Sequence, residues 1–275
     1  VNLVVLVALV ASLAGCATAA PLVRTETVVV KETVIVKETT APEVVVATPA
    51  PVTQPVAKYV FLFIGDGLGV AQRNAAELYL AAQDGEGTRP EESLLLMNSF
   101  PAQGMITTYD LTSVIPDSAS TATAMASGFK TASGVIGVDP TGETVYKNIS
   151  EIAVEQGWKI GILTSVSLDH ATPAAFYAHE RSRSSMYKIN LQLANSGFDF
   201  FGGGTMKSPT SPVDGEPNAM DVAADNGYTI AVGREGLESL KPGVGKVIAV
   251  NDNVDKDGAL QYAIDQDDPG YVTLA

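Results

Sequence analysis

The sequence predicts an α/β fold, a mainly parallel sheet sandwiched between helices, and two observations predict it. From Lys58 onward, short continuous apolar runs ending in polar or glycine-rich turns alternate with segments of helical spacing. That alternation marks parallel strands buried on both faces. The second observation is bulk: 46% of 275 residues are apolar, enough to bury a substantial core.

The elements follow in order. "KYVFLFIGDGLG" from Lys58 reads as a buried strand closed by Gly65-Asp66-Gly67, and "VAQRNAAELYLAAQ" as a helix. "LLLMNSF" reads as a helix end and "AQGMITTYD" as a strand. "TATAMASGF" is a helix of small residues stopped at Gly128, and "NISEIAVEQG" an amphipathic helix leading to the strand "KIGILTS". Next come the helix "SMYKINLQLANSG", the strand "FDFFGGG", the helix "AMDVAADNG" and the strands "YTIAVG" and "GKVIAVN". In such sheets functional groups gather beyond the carboxyl ends of the strands. Three loops with chemistry-bearing residues are expected there: Gly65-Asp66-Gly67, Asp117-Ser118 and Asp169-His170-Ala171-Thr172.

Two segments precede the expected domain. Residues 1–16 form an apolar run ending Leu13-Ala14-Gly15-Cys16, which reads as a secretory signal and resembles a bacterial lipobox with Cys16 lipidated. No Lys or Arg precedes the run. Residues 17–57 are rich in Val, Thr and Pro, with "TVVVKE" followed by "TVIVKE" and prolines at 42, 49, 51 and 55. That composition reads as an extended tether, with a strand added to a sheet edge as the rival reading. Residues 58–275 form the domain. The expected location is therefore the cell envelope, in the periplasm or on the outer surface, with a membrane contact through Cys16.

The formal net charge of −14 argues against a nucleic-acid partner, which needs a basic face. An anionic substrate would need positive charge supplied locally by metals or arginine. The single cysteine excludes an intrachain disulfide.

Asp66, between two glycines at a strand end, is either a turn residue or a metal ligand. Ser118 is either a helix cap together with Asp117 or a nucleophile; a helix starting there aims N–H groups and a positive dipole end at an anion. Its hydroxyl needs a base or metal to act. Arg181 and Arg183 are solvated side chains or forks for phosphate oxygens. His179 is expected to be a helix residue satisfied by its neighbours. "NVDKDG", Asn253 to Gly258, imitates half of an EF-hand but places Ile264 where the bidentate glutamate belongs, so a polar turn is expected.

Taken together, "FIGDGLG", "PDSASTATAMASGFKT" and "HATPAAFYAHERSR" resemble the successive signatures of alkaline phosphatases, over about 218 residues from Lys58 to the end. The resemblance implies phosphate monoester hydrolysis through a phosphoserine intermediate at a site of two zinc ions and one magnesium ion. It implies Ser118 as nucleophile and as a metal-held oxygen, and Asp66 as the carboxylate bridging zinc and magnesium. Thr172 would give its hydroxyl to magnesium, Arg183 would clamp phosphate and Asp117 would orient that arginine. His170 stands where family members carry Asp or His in the outer shell of the third metal. The chain holds only two histidines, too few for a zinc pair. The expectation is therefore a C-terminally incomplete chain carrying the nucleophile half of the site, with little activity by itself. A homodimer is the assembly considered for the complete protein. Two other readings remain: a related phosphodiesterase or sulfatase-like hydrolase, and a surface lipoprotein that binds anions without turnover.

Overall fold

The computed structural model of the chain describes residues 57–83, 94–262, 265 and 272. The signal segment, Cys16 and all of the tether but Ala57 lie outside the described residues. The chain divides between Phe61 and Leu62, and the second unit carries every regular element found among the described residues.

Those elements are α1 (Val70–Gln83), a 3-10 turn (Leu96–Ser99), α2 (Ser118–Ser127), α3 (Ile149–Glu155), β1 (Gly161–Leu163), α4 (Ala171–Ala174), α5 (Met186–Asn195), β2 (Phe200–Gly203), α6 (Ala219–Asp225), β3 (Tyr228–Val232), α7 (Gly233–Glu238) and β4 (Lys246–Val250). The four strands form one sheet in the order β1-β2-β4-β3, and every pair is parallel.

Side chains alternate across the sheet with period two. Phe201 stands beside Ile248, and Ile248 beside Ile230. This face packs against Ile189, Leu193, Phe198 and Ala223 in the main core, which α5 and α6 cover. The opposite face presents Phe200, Val247, Ala231 and Ala249 to Leu237 of α7 and to Leu240. Helices thus lie on both faces, as the strand-helix alternation requires.

Three local readings differ from the sequence expectation. No strand forms over residues 58–64, and none over 102–110. An apolar run holds as a parallel strand only when both faces are covered, and Leu62 and Phe63 are 61% and 89% exposed. Met105 and Ile106 are likewise exposed. The third difference is α7, a six-residue helix directly after β3; Gly233 and Gly236 within it hide any helical signal.

Candidate functional site

The site begins at α2. Pro116 precedes it, and Asp117 caps it with extended backbone (φ −96°, ψ 173°) while its carboxylate accepts the Ser120 N–H at 3.0 Å. Ser118 is therefore the first helical residue. Ser118 is partly buried, and its hydroxyl makes no hydrogen bond to another described residue. Gly128 ends the helix in the left-handed region, at φ 81°, and its N–H reaches Ala124 O. The small side chains have a use: Ala119, Ala122 and Ala126 are buried, as are Ala171, Ala174 and Ala175 at α4. Small side chains line both helices, and α2 and α4 lie in contact, because helix spacing is set by the side chains at the contact. This brings the Ser118 end of α2 near the turn holding His170 and Thr172.

Arg183 is carried to Asp117 by backbone pairing. Ile136 and Glu180 form an antiparallel bridge, and the Arg183 N–H donates to Gly134 O at 2.8 Å. The Arg183 guanidinium then donates to Asp117 Oδ2 at 2.9 Å through Nη1 and meets His170 Nε2 at 3.3 Å through Nη2. An arginine can only donate, so His170 Nε2 accepts and the ring proton sits on Nδ1. That Nδ1 is buried and has no hydrogen-bond partner among the described residues. Burial lowers the His170 pKa, and the nearby Arg183 charge lowers it further against the opposing pull of Asp66 and Asp169. His170 is thus held neutral. For Asp117, burial favours the protonated form, but the Ser120 and Gly134 N–H groups and then Arg183 outweigh it and hold the carboxyl below its ordinary value.

Asp66 sits in a turn closed by Leu68 N–H to Gly65 O at 3.1 Å, with Gly67 at φ 68°. Thr172 Oγ1 donates to Asp66 Oδ2 at 2.8 Å. The sequence-predicted residues therefore join in two hydrogen-bonded groups, Asp117–Arg183–His170 and Asp66–Thr172. The two meet at α4, where His170 and Thr172 are two residues apart, and Ser118 stands beside Asp117.

The other candidates fall elsewhere. Arg181 is exposed and its stem lies against Gly142. His179 is in no helix: its Nδ1 meets Gly137 O at 2.8 Å and its Nε2 meets Glu151 at 2.9 Å, so it is satisfied by neighbours as expected. Asp255 accepts the N–H groups of Asp257 and Ala259, which makes the EF-hand-like segment a polar turn.

Sequence reasoning missed the group behind the cap. Asp110 is buried and accepts from Thr112 N–H, Thr112 Oγ1, Ser113 N–H, Ser120 Oγ and Ser133 Oγ. Burial resists its ionisation, yet the Ser133 hydroxyl and the Thr112 groups prevail and hold its pKa far below the usual carboxylate range. "DLTS", Asp110 to Ser113, is the available signal, because an Asp followed by Thr and Ser forms this kind of local turn.

Comparison with known proteins follows the same loops. The alkaline phosphatase family profile matches residues 57–199, more than half of the chain. This chain belongs to the alkaline phosphatase family. Alkaline phosphatase 4 of Drosophila melanogaster is 39% identical over 151 residues, covering 53% of this chain and 25% of that protein. The human tissue-nonspecific isozyme is 38% identical over 140 residues, covering 46% of this chain and 26% of its own length. The chain thus spans about a quarter of the length of these curated alkaline phosphatases. Among solved structures, the alkaline phosphatase of the Antarctic bacterium TAB5 matches with a TM-score of 0.55 at 29% identity, over 68% of this chain and 52% of that one. A cold-active alkaline phosphatase from Shewanella sp. matches with a TM-score of 0.61 at 27% identity, over 74% of this chain and 48% of that one.

Proposed function

We propose that this chain supplies the nucleophile side of a phosphate monoester hydrolase in which Ser118 is transiently phosphorylated. The observation that carries the reading is the hydrogen-bonded row Asp117–Arg183–His170 beside the first residue of a ten-residue helix. Phosphoryl transfer is governed by positioning and charge, and these residues supply both. The Ser118 oxygen attacks phosphorus as its proton passes to solvent, the bond from phosphorus to the leaving oxygen breaks, and that oxygen takes a proton from solvent to depart as the alcohol. Hydrolysis of the phosphoserine by water then releases phosphate and returns Ser118. Arg183 offers its fork to non-bridging oxygens while Asp117 holds it in line, and the α2 N-terminus adds its dipole.

The family reading adds two zinc ions and one magnesium ion. Asp66 and Thr172 provide two hard oxygen donors 2.8 Å apart, which fit magnesium. A zinc pair does not fit the described residues by themselves. They contain no group of three or more His, Cys, Asp or Glu able to hold a metal, and both nitrogens of His179 are engaged. No step above depends on zinc. The apolar leader and Cys16 further support export and lipid anchoring at the cell envelope, which labelling of expressing cells with radioactive palmitate checks: label absent from wild type and Cys16→Ala alike would remove the anchor.

The test of the function is acid-quench trapping with a phosphorus-labelled monoester on the full-length gene product supplied with zinc and magnesium. Label is expected on the peptide containing Ser118 and absent in Ser118→Ala. Label that persists in that variant refutes the assignment. Phosphate binding without any label in wild type would favour an anion-binding lipoprotein, and faster turnover of diesters than monoesters would favour a phosphodiesterase.

A further inference from the structure

The proton count around Ser120 does not close within the clamp. Ser120 is 1% exposed. Its hydroxyl oxygen lies 2.9 Å from Asp110 Oδ2 and 2.9 Å from Asp117 Oδ1, with Asp117 O at 3.1 Å. A hydroxyl has one proton, and both carboxylates are held ionised by their surroundings. Only one can receive that proton at a time. Asp110 has four other donors and can spare it. Asp117 has the Ser120 and Gly134 N–H groups besides Arg183, so its negative charge is the one whose strength the hydroxyl adjusts.

We infer that Ser120 is a positioning residue that sets how firmly Asp117 holds Arg183, and that Asp110 sets Ser120 by competing for its proton. The inference rests on the reading of Arg183 as an oxyanion clamp. When the hydroxyl turns to Asp117, part of that carboxylate's charge is satisfied and the guanidinium is freer to serve an oxyanion. When it turns to Asp110, Asp117 keeps its charge for Arg183. No covalent bond changes; the switch is a rotation about the serine Cβ–Oγ bond.

Two substitutions push in opposite directions. Ser120→Ala removes the proton, so Arg183 is held harder and inorganic phosphate binds about tenfold more weakly, the size of one hydrogen bond to a charged group. In Asp110→Asn the amide Nδ2 donates to Ser120 Oγ and drives the hydroxyl proton to Asp117, so phosphate binds more tightly, by about threefold. Ser120→Thr keeps the hydroxyl and restores wild-type affinity. The experiment has two arms on the whole chain. Nitrogen NMR of the arginine side chains in anion-free protein follows the Arg183 guanidinium, assigned with Arg183→Lys. Calorimetry with inorganic phosphate, in protein supplied with zinc and magnesium, measures affinity. Opposite displacements of the Arg183 signal in Ser120→Ala and Asp110→Asn, with Ser120→Thr at the wild-type position, support the coupling, and opposite changes in phosphate affinity extend it to the clamp. An Arg183 signal unmoved in folded Ser120→Ala, or moved the same way in both variants, overturns it. A wild type that binds no phosphate sinks the clamp reading instead, while the NMR arm still decides the coupling.

Discussion

Asp117 does two jobs, capping α2 and holding Arg183, and a pair of substitutions separates them. Asparagine is as good a cap as aspartate, so Asp117→Asn keeps an oxygen for the Ser120 N–H at 3.0 Å and gives up the charge facing Arg183. Asp117→Ala gives up both. The ion pair is 2.9 Å long, with side chains 32% and 25% exposed; solvent at that exposure leaves it worth about 1 kcal/mol. The cap adds about 1 kcal/mol. Asp117→Asn is therefore expected to cost about 1 kcal/mol and Asp117→Ala about 2 kcal/mol, read as a shift of the urea midpoint at constant slope. Equal losses in the two variants would refute the capping argument, since the alanine must lose the cap as well. A loss near zero in Asp117→Asn would show that solvent already screens the pair.

Three further outcomes are expected. Gly137→Ala places a Cβ 2.5 Å from Ala178 O and 2.6 Å from His179 Nδ1 at φ 61°, costing about 3 kcal/mol or more; Gly128→Ala, at φ 81° in open space, costs only about 1–2 kcal/mol, and denaturant titration compares them. Asn148→Ala removes the capping box of α3 at about 1–2 kcal/mol, offset in part because the buried Asn148 Nδ2 lacks a partner among the described residues, so a net loss near 1 kcal/mol is expected in the same titration. Asp110 is ionised at a lower pH folded than unfolded, so the native state binds fewer protons and stability rises with pH. Its contribution is present above about pH 3.9, the ordinary aspartate value, and fades as pH falls below it. Asp110→Asn should start less stable at neutral pH and lose less on acidification, which urea midpoints measured between pH 6 and 2 will show.

The legible part of the fold was local. The strands at 161–163, 200–203, 228–232 and 246–250 announce themselves as short apolar runs between turns, and α2 by its small residues and Gly128. The run at 58–64 reads as strongly as any of them, yet becomes no strand, because a strand's existence depends on neighbours that its own residues do not specify. The site was legible as three loops in a row; residue type alone leaves Asp66 a turn residue, Ser118 a cap and Arg183 a solvated side chain, and the resemblance to alkaline phosphatases is what singles them out together with Thr172. Asp110 and Ser120 did not stand out, because a carboxylate and a hydroxyl ten residues apart declare no partnership until the chain folds Ser133 and Thr112 around them. Glu151 hid in the same way: its pattern shows a helix start, not a brace for His179.

Gly134 joins the clamp through main-chain atoms alone: its N–H serves Asp117, its carbonyl receives Arg183, and at φ 79° an added Cβ meets nothing within 4 Å. The alignment of acid and guanidinium is thus written in chirality rather than in bulk. A D-alanine installed there by chemical ligation should leave both bonds intact, whereas L-alanine should pull them out of register together.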